Sequence, residues 1–239
     1  MTYVDGFVAA VPRVNREKFR EHAAGFAPLF KELGARRIVE CWGDDVPDGK
    51  VTDFKGAVQA KDDEVVVFSF VEYPDKAARD AANEKMRSDP RMQQMGAEMP
   101  FDGARLIFGG FDCIVDESGN GRGTYVDGFV VPVPGSNREA YREMAAKAAK
   151  VFVEFGANRV VEAWGDDVPD GKVTDFRRAV KAEPQEKVVF SWVEWPSKQV
   201  RVDAWERAMK DERMQPDKDK MPFDGQRMFW GGFEAIVDA

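Results

Sequence analysis

The chain has 239 residues, 43 of them acidic and 35 basic, for a net charge of −8 and a pI near 5.0. That balance lacks the basic footprint of a nucleic-acid binder and the polybasic attraction of an anionic membrane surface. No apolar run approaches the roughly 20 residues of a membrane-spanning helix. The start, MTYVDGFVAAVP, shows none of the zones of a signal peptide, so a cytoplasmic protein is expected.

YVDGFVAAV (Tyr3–Val11) predicts a strand closed by Pro12. Asn15 offers a helix N-cap, with Glu17 in the first turn. Phe19, Ala23, Phe26, Phe30 and Leu33 then recur at 4, 3, 4, 3 spacing, one face of a helix that stops at Gly34. ARRIVECW (Ala35–Trp42) predicts a second strand, and EVVVFSFVEY (Glu64–Tyr73) a third that ends before Pro74. A second helix is expected over Asp75–Asp89, with a short continuation after Pro90. MPFDG (Met99–Gly103) reads as a loop before a fourth strand, Ala104–Asp116.

Everything then happens again. A shift of 122 residues lays Thr2–Glu117 on Thr124–Ala239 without a gap, with 68 of 116 positions identical. This is a duplicated module rather than a solenoid. The expected organisation is a first module over 1–117, a connector over 118–123 and a second module over 124–239, joined through the polar, Gly-rich DESGNGRG. The order β-α-β-β-α-β is the ferredoxin-like split βαβ unit, an α+β fold with strand order 4-1-3-2 and both helices on one face. One module alone leaves its other sheet face bare. Two such faces packed together, strand 2 of each beside strand 4 of the other, close an intrachain pseudo-dimeric α/β barrel. The two halves are thus each other's partner, with room left for a further homo-oligomer.

YVDGFV, WGDDVPDGKVTDF, VVFSWVEWP and MPFDGQRMFWGGF together resemble the bacterial YbaA-like family of unknown function, within the dimeric α/β-barrel superfamily. The resemblance covers nearly all of each half. It implies single modules that pair as homodimers in ordinary members, fused here into one polypeptide. The superfamily includes cofactor-independent monooxygenases, haem enzymes and plain binding proteins, so no activity transfers from it.

Several chemistries are excluded. The single histidine, His22, has Met144 as its counterpart, so a Ser-His or Cys-His site would be broken in the second half. Zinc, non-haem iron and His-ligated haem sites lack their ligands. No phosphate loop or dinucleotide fingerprint appears. No cofactor is expected. Cys41 and Cys113 alternate with Ala163 and Ala235, the pattern of small buried fillers with reduced thiols.

WGDDVPDGKVTDF stands unchanged at Trp42–Phe54 and Trp164–Phe176. As a calcium loop beginning at Asp44 it fails, because the third position is Val46 and the twelfth Lys55, or Arg177 in the repeat. No metal site is expected. Val46–Gly49 reads as a tight turn, with Asp44, Asp45 and Asp53 bonding backbone N–H groups around it. The alternatives are a structural loop, a ligand-facing loop or a loop at the module seam. Trp42, Asp44 and Asp53, with Trp164, Asp166 and Asp175, are its candidate ligand-binding residues.

Arg37, Glu40, Glu72 and Arg105 are charges within strands, repeated as Arg159, Glu162, Glu194 and Arg227, and of these Glu72, Arg105, Glu194 and Arg227 complete the candidate ligand-binding set. They read either as paired structural ions or as the lining of a polar pocket in which Arg105 or Arg227 holds an anion. Gly109–Gly110 and Gly231–Gly232 suggest a bulge or close backbone approach that widens such a cavity. Phe101 and Phe223 are candidate plugs of the barrel mouth. The leading functional expectation is binding of a small, partly apolar molecule in a barrel or sheet–helix pocket. A cofactor-independent monooxygenase and a ligand-free structural protein are the alternatives. A barrel filled with side chains would sink both of the first two.

Overall fold

A computed structural model describes residues 2–215 and 221–239. Each half contributes four strands: β1 (Tyr3–Pro12), β2 (Arg37–Asp45), β3 (Glu64–Tyr73) and β4 (Ile107–Ser118), then β5 (Tyr125–Pro134), β6 (Arg159–Asp167), β7 (Glu186–Trp195) and β8 (Phe229–Asp238). They close one barrel in the order β1-β3-β2-β8-β5-β7-β6-β4. Each half is therefore the expected 4-1-3-2 sheet, and the halves join at two antiparallel seams, β2 with β8 and β4 with β6. β4 runs one residue into the expected connector.

Helices α1 (Arg16–Glu32) and α5 (Arg138–Glu154) cover the outside, followed by α3 (Lys76–Ser88), α4 (Pro90–Ala97) and α7 (Lys198–Ala208). Gly34 and Gly156 end α1 and α5 at φ +117° and +110°, the left-handed position that favours glycine. Asn15 sits at the start of α1 but does not cap it; its amide donates to the Pro100 carbonyl at 2.8 Å, tying the loop after α4 to the barrel. The loop read between strands 2 and 3 holds two further one-turn helices, α2 (Phe54–Ala57) and α6 (Phe176–Ala179).

Strand alternation sends Val4, Gly6 and Val8 into the lumen and Tyr3, Asp5 and Phe7 toward the helices. The lumen is filled. Phe68 and Phe190 stack across the pseudo-twofold at 4.4 Å with their planes 1° apart, and Phe70 stacks on Trp192 at 4.1 Å. The glycine of YVDGFV has a specific use here. A Cβ on Gly6 would lie 3.0 Å from the Phe190 ring, and one on Gly128 would lie 2.7 Å from Phe68. Each half's first strand thus gives up a side chain so that the other half's phenyl can lie on its backbone. Cys41 and Cys113 are free and buried, one at each seam.

Candidate functional site

The repeated loop is the stitch between halves. The seam registers slip at Asp44 on β2 and at Asp166 on β6, so each is the extra residue of a bulge, which re-aims its carboxylate. Asp44 accepts from the Tyr125 hydroxyl at 2.8 Å and meets the Lys198 ammonium at 2.6 Å. Asp166 meets Tyr3 at 3.0 Å and Lys76 at 3.2 Å. Burial works against the charge of Asp44, but the bonds from Lys198 and Tyr125 outweigh it and hold the carboxyl below its ordinary pKa. Beside them, Arg201 bridges Asp45 at 2.8 Å and Asp127 at 2.9 Å, as Arg79 bridges Asp167 at 2.7 Å and Asp5 at 2.8 Å. Gly110 and Gly232 lie opposite these bulges and make room for Tyr3 and Tyr125, whose hydroxyls would stand 2.6 Å and 2.5 Å from an added Cβ. The glycine pairs admit side chains; they do not widen a cavity.

Asp53 and Asp175 are turn residues. Asp53 caps α2 through the Gly56 N–H at 2.6 Å and closes the turn through the Gly49 N–H at 3.0 Å. Asp175 does the same with Arg178 and Gly171 at 2.8 Å and 3.1 Å. This holds α2 and α6 at one mouth of the barrel. Phe54 enters the lumen against Phe229, Phe233 and Phe68, and Phe176 against Phe111 and Phe190. These are the plugs. Phe101 and Phe223, expected there, pack instead under α1 and α5, against Phe19 at 5.9 Å and Tyr141 at 5.7 Å. Asp53 followed by Phe54, Ala57 and Val58 was a cap-and-apolar-turn signal that could have located the plug in the sequence.

Trp42 and Trp164 are buried on the outer sheet face beneath α1 and α5, with Arg16 and Arg138 each 5.8 Å over the indole. Next to them Glu40 accepts from Ser69, and Glu162 accepts from Tyr141 at 2.7 Å. Burial pushes both carboxyls up to about 7 against those hydrogen bonds.

The opposite mouth is closed by charge. Arg37 forks onto Glu194 at 2.7 and 2.9 Å, and Arg159 onto Glu72 at 2.7 and 2.9 Å, each pair crossing between halves. Asp238 and Asp116 take the remaining sides of the two guanidiniums at 2.9 Å and 2.8 Å. Glu72 and Glu194 therefore face arginines of the other half.

Arg105 does not lie in strand 4. Asp102 caps a 3-10 turn, Gly103–Arg105, and folds the side chain back onto Glu64 at 2.6 Å and Asp102 at 3.0 Å. Its remaining bond goes to the Gln59 carbonyl at 2.8 Å. Arg227 likewise holds Glu186, Asp224 and the Lys181 carbonyl. Four of the five guanidinium N–H groups are spent within the protein, which leaves each of these arginines a single N–H for the anion-holding role expected of them and rules out a bidentate clamp. What they do hold is backbone: Gln59 and Lys181 are the two non-glycine residues with positive φ among the described residues, at 49° and 50°. Such a conformation costs about 1–2 kcal/mol per residue, offset here by the arginine bonds to the two carbonyls.

Two open depressions stand out among the described residues. One, of about 330 Å³, lies over the plug between α2 and α6 and takes in Thr52, Thr174, Val51 and Val173. The other, of about 850 Å³, is a groove between α1 and α4. Its walls carry Phe26, Pro28 and Leu29, and its rim carries Lys18, Glu21, His22 and Glu98, with Arg91 clasping Glu32 across one end at 2.9 Å. Burial lowers the His22 pKa although Glu98 opposes it, so the imidazole is neutral at pH 7 and can both donate and accept.

Known proteins resemble this chain in sequence or in fold. Uncharacterized protein YbaA of Escherichia coli K12 is 65% identical over 117 residues, all of its own length and 49% of this chain, and YbaA of Shigella flexneri matches equally. Among solved structures, a "putative monooxygenase" of Fusobacterium nucleatum superposes with a TM-score of 0.61 over 99% of this chain and 93% of its own, at 12% identity. One of the same description from Lactobacillus acidophilus gives 0.58 over 100% and 96%, at 10%. Likeness at that identity shows the barrel fold alone. The family described as "Protein of unknown function (DUF1428)" matches residues 2–103 and again 124–225. The chain belongs to that family, as two of its modules fused into one closed barrel.

Proposed function

We propose that this chain is a cytoplasmic binding protein for a small, partly apolar molecule, and that its site is the groove between α1 and α4 rather than the barrel lumen. The observation that carries the reading is the groove itself. Its volume of about 850 Å³ falls within the size range of small-molecule sites, and an apolar floor with a few polar groups at the rim is their usual make-up. A neutral His22 beside Phe26, at 5.0 Å between ring centroids, offers an aromatic ledge with a hydrogen-bonding edge. The lumen is the weaker candidate, since its aromatic rings stack on one another instead of lining a chamber. The cytoplasmic part rests on two reduced, buried cysteines and on bacterial relatives.

Gly25 provides the test, because it lines the groove and an added Cβ there meets nothing within 4 Å. Titration with 1-anilinonaphthalene-8-sulfonate is expected to give saturable brightening with the wild type and almost none with Gly25→Phe at unchanged melting temperature. Equal brightening of the two proteins would sink the proposal.

A further inference from the structure

We infer that the cleft over the barrel plug is a second binding site, one that takes a small carboxylate with an apolar body. It is independent of the α1–α4 groove. The argument begins from the two walls, which come from equivalent segments and have diverged. Thr52 and Ala57 on one side match Thr174 and Ala179 on the other, while Asp53 lines the first wall and its counterpart Asp175 is buried behind the second. Gly56 and Gln59 of the first wall are replaced by Arg178 and Lys181 in the second. The second wall has thus gained two cations at a mouth that a symmetric pair would leave neutral there.

These cations have donors to spare. Arg178 meets Asp175 at 3.2 Å, but both Asp175 oxygens already accept backbone N–H groups. Among the described residues no carboxylate stands within 4.0 Å of the Lys181 ammonium. The cation beside them, Arg177, is spent on the Glu183 and Glu186 carbonyls, so the excess charge of the wall belongs to residues that line the cleft. The one carboxylate on the facing wall, Asp53, is tied to Gly49 and Gly56. The lining is net positive in a chain of net charge −8, which focuses an anion onto it.

The apolar half of the recognition comes from Val51 and Val173. They are 38% and 42% exposed on opposite rims, and Ala57 is buried in the floor between them. About 330 Å³ suits a ligand of roughly ten heavy atoms, near the lower limit of ligand sites. The floor is rigid, since Thr52 and Thr174 donate to the Arg227 and Ala57 carbonyls at 2.9 Å and 2.7 Å. Arg227 holds the Lys181 backbone in its left-handed turn. The cation is therefore presented from a fixed rim, and less ordering entropy is lost on binding.

The probe is benzoate, with benzyl alcohol as its uncharged match, followed by amide nitrogen–proton NMR of the full chain. Benzoate is expected to shift amides of 51–59 and 173–181 saturably, with a Kd of about 1 mM or tighter, the scale for so few atoms. Benzyl alcohol is expected to bind at least tenfold more weakly. Arg178→Gly with Lys181→Gln should lower benzoate affinity at least tenfold. The first half shows that the fold accepts these residues, because Gly56 and Gln59 stand at the counterpart positions and Gln59 has the same positive φ. Lys181→Gln alone should give an intermediate loss. Absence of localised shifts, equal binding of benzyl alcohol, or a variant that titrates like the wild type would each overturn the inference. None of these results bears on the groove read out at Gly25.

Discussion

The two halves share every strand and both seams, yet they satisfy their buried charges differently. In the second half, Asp127 accepts from the Trp195 and Trp205 indoles at 2.9 Å and 2.7 Å as well as from Arg201. In the first half the counterparts of those tryptophans are Tyr73 and Asn83. Asp5 keeps only Arg79 of these donors, burial pushes its carboxyl up to about 6 as it also raises that of Asp127, and among the described residues the buried Tyr73 hydroxyl has no partner. Likewise Glu162 has the Tyr141 phenol, whose counterpart in the first half, Phe19, has no hydroxyl to offer Glu40. A homodimer must solve each such problem twice in the same way. A fused pair is free to consolidate one half and leave the other open, and the α1–α4 groove lies on the less consolidated half.

The largest test of this asymmetry is at the plugs. Phe54→Ala and Phe176→Ala should each cost about 3–5 kcal/mol of unfolding free energy in a denaturant titration, as buried Phe truncations do. Phe54 should be the costlier, since it meets three rings where Phe176 meets two. Equal costs would show that the lumen relaxes symmetrically around them.

Next comes the charged mouth. Removing one partner of a buried ion pair costs about 3–5 kcal/mol, because the other charge is stranded. Arg159→Met strands Glu72, whose nearest remaining cation is Arg37 at 3.6 Å. Arg37→Met strands Glu194, which keeps the Trp192 indole at 3.1 Å. Arg159→Met is therefore expected to be the more destabilising by about 1 kcal/mol, the net worth of one hydrogen bond. The reverse order would mean that the indole contributes nothing.

The buried glutamates give a smaller, pH-dependent effect. Their folded values of about 7 lie above the ordinary 4.5, so the folded state binds more protons between those limits. Their contribution is whole below about pH 4.5 and is lost as pH rises through about 7. At 1.36 kcal/mol per unit this amounts to about 3 kcal/mol per carboxyl when fully ionised. Glu40→Gln and Glu162→Gln should each flatten the fall in melting temperature between pH 5 and 8. Glu40→Gln should cost less at pH 5, because it forfeits one hydroxyl donor and no phenol. A pH profile unchanged by both substitutions would remove the buried-acid account.

The fold was legible because its signals are local or repeated. Apolar period, Gly34 and the proline stops place the strands and α1, and the repeat itself names what covers the bare sheet face. The site was much less so. Arg37 meets Glu194 across 157 residues and across the seam, and nothing near either residue announces the other. Arg105 reads as a strand residue by alternation, but Asp102 caps the turn before it and turns the side chain back. Phe101 and Phe54 are both aromatic residues in loops. Only the fold-back of α2 decides that Phe54 enters the lumen while Phe101 goes under a helix.

The smallest expected effect concerns the connector. If the seams hold the halves together, the covalent link is needed only to raise their effective concentration. The Arg122 side chain is 69% exposed in the connector and pairs with Asp238 at 3.4 Å, so trypsin can cut after it. The nicked protein should show two bands of nearly equal mass on a denaturing gel and a single species of unchanged size on native gel filtration. Two antiparallel seams and the cross-half ion pairs of Arg37, Arg79, Arg159 and Arg201 all survive the cut. Its melting temperature should become dependent on protein concentration, which the intact chain's should not. Separation into halves at micromolar concentration would show that the asymmetry between modules has been reached at the expense of their mutual affinity.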